Sequence, residues 1–230
     1  MNRHPALILA VHGTRRPHGT AIAHSLALRV AEITRQPTHL AFADVLTPTV
    51  GDVAAATPGP LVVVPAFLAS GYHVRTDIPE QLAHAGRADA VLTPALGHHP
   101  ALTDTAVRRL TQAGYRPGDA VVLACAGTSD TRAKAELNTA ARALATRLGT
   151  PVTCGYIATG TPTVADQVER LRAQGHQRVA IASWLLAPGL FHDRLAHCGA
   201  DAVAAPLCPD PGIAHAVAER YRQAAIPQPV

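Results

Sequence analysis

At 230 residues the chain has room for one large or two small domains, and 48% apolar residues with only 3% aromatics leave Ala, Val and Leu to build the core. Lysine and arginine exceed aspartate and glutamate by 20 to 16, with 13 histidines besides; this balance favours a small or medium acidic ligand and does not point to nucleic acid. Four scattered cysteines without a CxxC argue against a disulfide framework or zinc knuckle, and the lack of a signal-peptide pattern or an apolar run near the ~18 residues of a membrane span predicts a soluble, cytoplasmic protein.

Short apolar runs predict strands at 6–11, 38–43, 60–65 and 88–93, then at 120–124, 151–156, 178–183 and 200–204. Helical composition fills the gaps: 20–35, 50–56, 76–85 and 100–113 in the first half, 131–148, 164–173, 190–197 and 212–224 in the second. Strands buried on both faces and alternating with helices mean parallel sheets flanked by helices. Pro117-Gly118 marks a turn and a domain joint. The tail from residue 226, with two prolines, is expected to fray.

The order of elements is also a repeat. Leu7-Ile8-Leu9-Ala10-Val11-His12-Gly13-Thr14 returns as Val121-Val122-Leu123-Ala124-Cys125-Ala126-Gly127-Thr128, an offset of 114. The same offset carries Thr47-Pro48-Thr49-Val50 onto Thr161-Pro162-Thr163-Val164, and Phe67–Gly71 returns at 185–189 with an offset of 118. The expected architecture is therefore α/β with two tandem pseudo-symmetric domains, residues 1–116 and 117–230, and a cleft between them. His12 faces Ala126 in this repeat, so the chemistry is expected in the first domain and a degenerate copy in the second.

In parallel α/β sheets ligands bind beyond the carboxyl ends of the strands. Three loops of the first half start there: 12–16, 67–75 and 97–100. His12 and His73 each follow a strand end, and two imidazoles so placed can share one divalent metal with positions left open, or act as general bases. Each taken alone reads equally well as a loop histidine bonded to backbone. Arg15, Arg16 and Arg75 flank them, and guanidinium groups suit carboxylates. Arg75 opens a helix, where a cation is unfavourable, a local conflict that hints at function. Gly13 and Gly71 fit turns, and their repeat partners Gly127 and Gly189 persist without histidines, so they are assigned to the fold. His99, just before Pro100, is the better candidate of the His98-His99 pair, and His192 lies near the repeat image of His73. No GxGxxG, GxxxxGK[ST] or GxSxG motif is present, which removes dinucleotide, P-loop and serine-hydrolase readings.

Three segments together resemble the sirohydrochlorin chelatases. Leu9-Ala10-Val11-His12-Gly13-Thr14-Arg15 is similar to their opening hGHGSR run. Pro65-Ala66-Phe67-Leu68-Ala69-Ser70-Gly71-Tyr72-His73-Val74-Arg75-Thr76-Asp77-Ile78-Pro79 is similar to P-x-F-L-x-x-G-x-H-x-x-x-D-I-P, and the run from Pro94 to Pro100 to PxLGxHP. The resemblance implies a class II, ATP-independent chelatase of two α/β domains, a lyase inserting Fe²⁺ or Co²⁺ into sirohydrochlorin for sirohaem or cobalamin synthesis, with Ni²⁺ or Zn²⁺ accepted in vitro. It implies His12 and His73 as catalytic and metal-handling residues, and Thr14, Arg15, Arg16, Gly71, Tyr72, Arg75 and His99 around the substrate. Thr14 replaces the family's serine and keeps the hydroxyl. With no MxCxxC-like cluster, an iron–sulfur cluster is not expected. The partner is an acidic tetrapyrrole, and the chain is expected as a monomer, with a weak dimer as the alternative. A carrier that binds tetrapyrrole or metal without turnover, and a sugar- or nucleotide-binding module, are the competing readings.

Overall fold

The computed structural model describes residues 4–97 and 99–225; His98 and the tail from residue 226, singled out above, lie outside them. In chain order the elements are β1 (Ala6–Val11), α1 (Pro17–Thr34), β2 (Thr38–Phe42), α2 (Val50–Ala56), β3 (Leu61–Pro65), a π-helical turn (His73–Asp77) running into α3 (Ile78–His84), β4 (Val91–Leu92) and α4 (Pro100–Gln112). The second half gives β5 (Ala120–Gly127), α5 (Thr131–Leu148), β6 (Val152–Thr159), α6 (Val164–Ala173), β7 (Val179–Trp184), α7 (Leu190–Leu195), β8 (Ala202–Val203) and α8 (Pro211–Ala225).

Two four-stranded parallel sheets result, ordered β2-β1-β3-β4 and β6-β5-β7-β8. The order is the same in both and corresponds element by element. The inner strands read as continuous apolar runs because helices cover both faces: all five residues of β3 and all six of β7 are buried. The helix starts are equally repetitive. Thr49 caps α2 and Thr163 caps α6, each accepting from the third helical N–H, while Asp52 and Asp166 return the bond to the cap residue's own N–H. The strands β4 and β8 have two residues each and pair with β3 and β7 on one side alone.

Three helical expectations shift at their ends: α1 starts at Pro17, three residues before the expected position 20. The segment expected as helix from residue 76 already coils at His73, in a π-turn whose wider hydrogen bonding places His73 on the same face as Asp77. In the second half, α7 stops at Leu195, where the amide of Ala196 turns back to the Asp193 carbonyl.

The chain forms two compact units, and they do not coincide with the sequence repeats. One comprises Met1–Leu96 with Ile213–Val230, the other Gly97–Gly212. The repeats are thus contiguous in sequence, while each compact unit takes in the last helix of the other repeat, α8 in the first unit and α4 in the second. In the second unit α4 packs on α5 and β7 and buries Leu102, Ala106 and Leu110. It is pinned at Asp210, which accepts from Arg108 and from Thr105 Oγ1 at 3.1 Å, and by an Arg147–Asp104 ion pair. In the first unit α8 is held by Tyr221, whose hydroxyl donates to the Pro5 carbonyl at 2.6 Å, and by Arg222, which donates to the Ile33 carbonyl. The apolar pattern of α4 and α8 marks a buried face but carries no information on which sheet it covers. Among the described residues no helix is long and apolar enough to cross a membrane.

Candidate metal site

β1, β2 and β3 of the first unit end side by side, and each hands one functional group to the space beyond. β1 stops at Val11 and leaves His12 exposed in the following turn. β2 stops at Phe42, and two residues later Asp44 follows. β3 leads through residues 66–72 to His73 in the π-turn.

Gly13 allows the first two loops to meet. It sits at φ +97°, and a Cβ there would lie 2.4 Å from the Asp44 carbonyl oxygen, well inside contact. The Asp44 amide in turn donates to the His12 carbonyl at 3.1 Å. Gly127 at φ +113° makes the same close approach to Thr159 in the second unit, so this glycine serves the fold in both halves. Beyond Asp44 the chain passes through Val45 at φ +72°, a left-handed conformation costly for a β-branched residue. That turn lets the Val45 amide donate to Asp44 Oδ1 at 2.6 Å, which fixes the carboxylate beside the histidines.

One ligand atom each from His12, Asp44 and His73 lies within 4.8 Å of the others, a single cluster of three donors. The imidazole centroids of His12 and His73 are 4.7 Å apart at 78°, and the Phe67 ring lies 6.3 Å from one and 5.9 Å from the other. The hydrogen bonds select the coordinating nitrogens. His73 Nδ1–H donates to Asp77 Oδ2 at 2.8 Å, and His12 Nδ1–H donates to the Gly13 carbonyl at 3.3 Å. In the neutral rings both Nε2 atoms therefore keep a lone pair. A carboxylate behind a histidine orients the ring and strengthens it as a ligand. Two nitrogens and one oxygen suit Fe²⁺, Co²⁺, Ni²⁺ or Zn²⁺, and three protein ligands leave further positions open.

The structure brings His12 and His73 together and adds Asp44, which sequence reasoning missed. Asp44 does follow the end of a predicted strand, as the histidines follow theirs, but an aspartate in a loop is ordinary and does not by itself point to a site. Asp77 stands out in the sequence only as a member of the run from Pro65 to Pro79.

The other sequence candidates fall in several places. Thr14 turns the chain into α1, its hydroxyl accepting from the Arg16 amide and its carbonyl from Thr20. Thr14 and Arg15 line a cavity of about 520 Å³ with His24, Phe42, Leu46 and Pro48. Arg16 is exposed at the start of α1. Gly71 accepts the amides of Val74 and Arg75 and so opens the π-turn. Tyr72 is exposed, its ring 5.7 Å from that of His73. Arg75 curls back so that Nε donates to the Ser70 carbonyl, which gives the cation at a helix start a local partner. The third loop belongs elsewhere: Gly97 opens the second unit, and His99 caps α4, its Nδ1 accepting from the Ala101 amide. His192 donates from Nε2 to the Ala204 carbonyl. A larger cavity of about 970 Å³ lies around Pro60, Leu61 and Arg87, at the amino end of β3. Arg87 there is committed to the carbonyls of Ala54, Thr57 and Gly59 and to Asp89, a structural brace.

Comparison with known proteins bears on this geometry. A Methanopyrus kandleri protein named sirohydrochlorin cobaltochelatase is 37% identical over 82 residues, 34% of this chain and 57% of that one, so the match spans little more than half of that relative. A Methanococcoides burtonii protein of the same name is 30% identical over 122 residues, covering 44% of this chain and 92% of its own length. In fold, the chain is similar to SirB from Bacillus subtilis with Fe³⁺, at 19% identity over 97% of this chain and 96% of that one, with a TM-score of 0.82. The model of the CbiX family matches twice, over residues 6–113 and 120–224, one match per repeat and nearly the whole sequence. The chain belongs to the CbiX family.

Proposed function

We propose that the protein inserts a divalent metal ion, Fe²⁺ or Co²⁺, into sirohydrochlorin without ATP, as a chelatase of sirohaem or cobalamin synthesis. The observation that carries this reading is the His12–Asp44–His73 cluster at the carboxyl ends of three adjacent strands. The names of the relatives agree with it.

Insertion requires the incoming M²⁺ to lose part of its hydration shell and the macrocycle to lose two pyrrole protons. Both tasks fit the site. Three protein ligands replace some of the metal's waters while leaving the remaining positions for transfer. The set is exposed and mixed in donor type, which favours a metal held briefly over one locked in a closed structural site. As the metal leaves, Nε2 of His12 and of His73 regain free lone pairs and can accept the displaced protons. His73, whose ring is held in place by its Nδ1–H bond to Asp77, is assigned the larger share of proton uptake. Arg15, Arg16 and Arg75 are assigned to the substrate's carboxylates, with Thr14, Gly71, Tyr72 and His99 as further contacts. We also assign the protein to the cytoplasm as a monomer, and Ni²⁺ and Zn²⁺ as in vitro alternatives.

The test is metallation of sirohydrochlorin followed by absorbance with Fe²⁺ or Co²⁺ in excess. Multiple turnover by the unaltered chain, with rates about 100-fold lower or less in His12→Ala and His73→Ala, is the expected result. Stoichiometric binding without turnover would instead make the protein a carrier. Near-normal rates in both variants would sink the site assignment.

A further inference from the structure

We infer that Gln81 and Asp77 form a positioning relay that couples the metal-binding loops to one another, an inference that rests on the metal-site reading above. Asp77 is the first link: Oδ2 accepts from His73 Nδ1–H at 2.8 Å, and Oδ1 accepts from Gln81 Nε2 at 3.0 Å. Gln81 is the hub. The second hydrogen of Nε2 donates to the Ala43 carbonyl at 3.0 Å, next in sequence to Asp44, and Oε1 accepts from the Gly51 amide at 3.3 Å.

This amide has one workable orientation. Nε2 faces a carbonyl and a carboxylate, both acceptors, while Oε1 faces an N–H; reversing the group would set oxygen against oxygen twice. One side chain thus spans the helix that carries His73, the loop that carries Asp44 and the start of α2. Gly51 lets α2 and α3 approach closely enough for this contact, since a Cβ at that position would lie 3.1 Å from the Gln81 backbone carbonyl oxygen.

The second unit separates a site role from a folding role. It builds the same four-stranded sheet and the same capped helix after its second strand, yet it lacks the relay. Val91 pairs with Val62, 29 positions earlier, whereas Ala202 pairs with Ala180, 22 positions earlier. The seven missing residues fall in the segment that carries Asp77 and Gln81 in the first unit, and α7 ends at Leu195. The sheet therefore forms without these groups, and among the described residues they occur only where the three donors occur.

The experiment measures Co²⁺ binding to the full chain without tetrapyrrole, by calorimetry and by the visible absorption of the bound ion, alongside thermal unfolding. Gln81→Met keeps the length of the side chain and removes all three hydrogen bonds; Asp77→Asn removes the charge behind His73. Both are expected to weaken Co²⁺ binding about 10-fold or more and to alter the absorption bands at saturating metal, with Asp77→Asn giving the reading should Gln81→Met unfold. Affinity within about twofold of the unaltered chain and an unchanged spectrum in both folded variants would overturn the relay, provided that His73→Ala loses binding. Unchanged binding in His73→Ala as well would remove the metal site itself and the relay with it.

Discussion

β1 of the first unit and β5 of the second are the same strand in sequence register, central in sheets of the same order, and they part company one residue beyond the point where burial ends. His12 corresponds to Ala126, Asp44 to Ala158, and His73 to Phe191. Inside the sheets the substitutions are of another kind: Leu7 stands for Val121 and Ile8 for Val122, while Leu9 and Leu123 are identical, all fully or almost fully buried. Packing constrains each interior position to an apolar group of similar volume, and both copies obey it. Beyond the strand ends no such constraint acts, and there one copy retains donors while the other carries Ala and a partly exposed Phe. The comparison separates residues kept for shape, such as Gly13 and Gly127, from residues present for chemistry.

The sharpest way to break this contrast is to remove or transplant the donors. Asp44→Ala is expected to weaken Co²⁺ binding by about 10- to 100-fold with little change in unfolding temperature, since the carboxylate is exposed and lies outside the core. Ala126→His in the second unit should leave Co²⁺ stoichiometry at one per chain in calorimetry. A second equivalent of tightly bound metal would show that the copies differ less than their loops suggest.

A smaller effect is expected from the exchanged helices. Asp210→Ala removes the acceptor for Arg108 and Thr105 and should destabilise the protein by about 1–3 kcal/mol in denaturant unfolding, while Co²⁺ affinity stays the same. Burial disfavours the Asp210 carboxylate, but hydrogen bonds from Arg108, the Gly212 amide and Thr105 outweigh it and hold its pKa below the ordinary 3.8. A carboxyl depressed on folding contributes stability above its unfolded pKa and loses it as pH falls through the folded value. The stability gap between Asp210→Ala and the unaltered chain should therefore narrow below about pH 4. Tyr221→Phe in the first unit deletes one hydrogen bond to Pro5 and should cost about 0.5–1.5 kcal/mol.

The smallest signal is chemical. All four cysteines lie in the second unit, and burial pushes the Cys208 thiol up to about 12. It should resist a thiol reagent at neutral pH in the native protein and react on unfolding.

Most elements and both sheets were legible because strand burial and helix capping write directly into sequence. The run Leu7–Val11 is apolar throughout because helices cover both faces, and Thr49-x-x-Asp52 announces its helix. The two histidines were legible because each lies in the loop that follows such a run, His12 at once and His73 after residues 66–72. Asp44 was not, because an aspartate in a loop is ordinary and only the close approach over Gly13 brings it to His12. The partition into units was not legible either. A helix such as α4 displays an apolar stripe, and nothing in the stripe names the sheet that will bury it.

That exchange has a consequence for how the molecule is made. Residues 97–212 are contiguous, so the second unit has all its parts once Gly212 has left the ribosome. The first unit has its three donor-bearing loops by His73 but must wait for residues 213–225 to supply its closing helix. Vectorial synthesis therefore completes the copy without the donors before the copy with them, and the donor-bearing half reaches its native packing only after most of the chain already has.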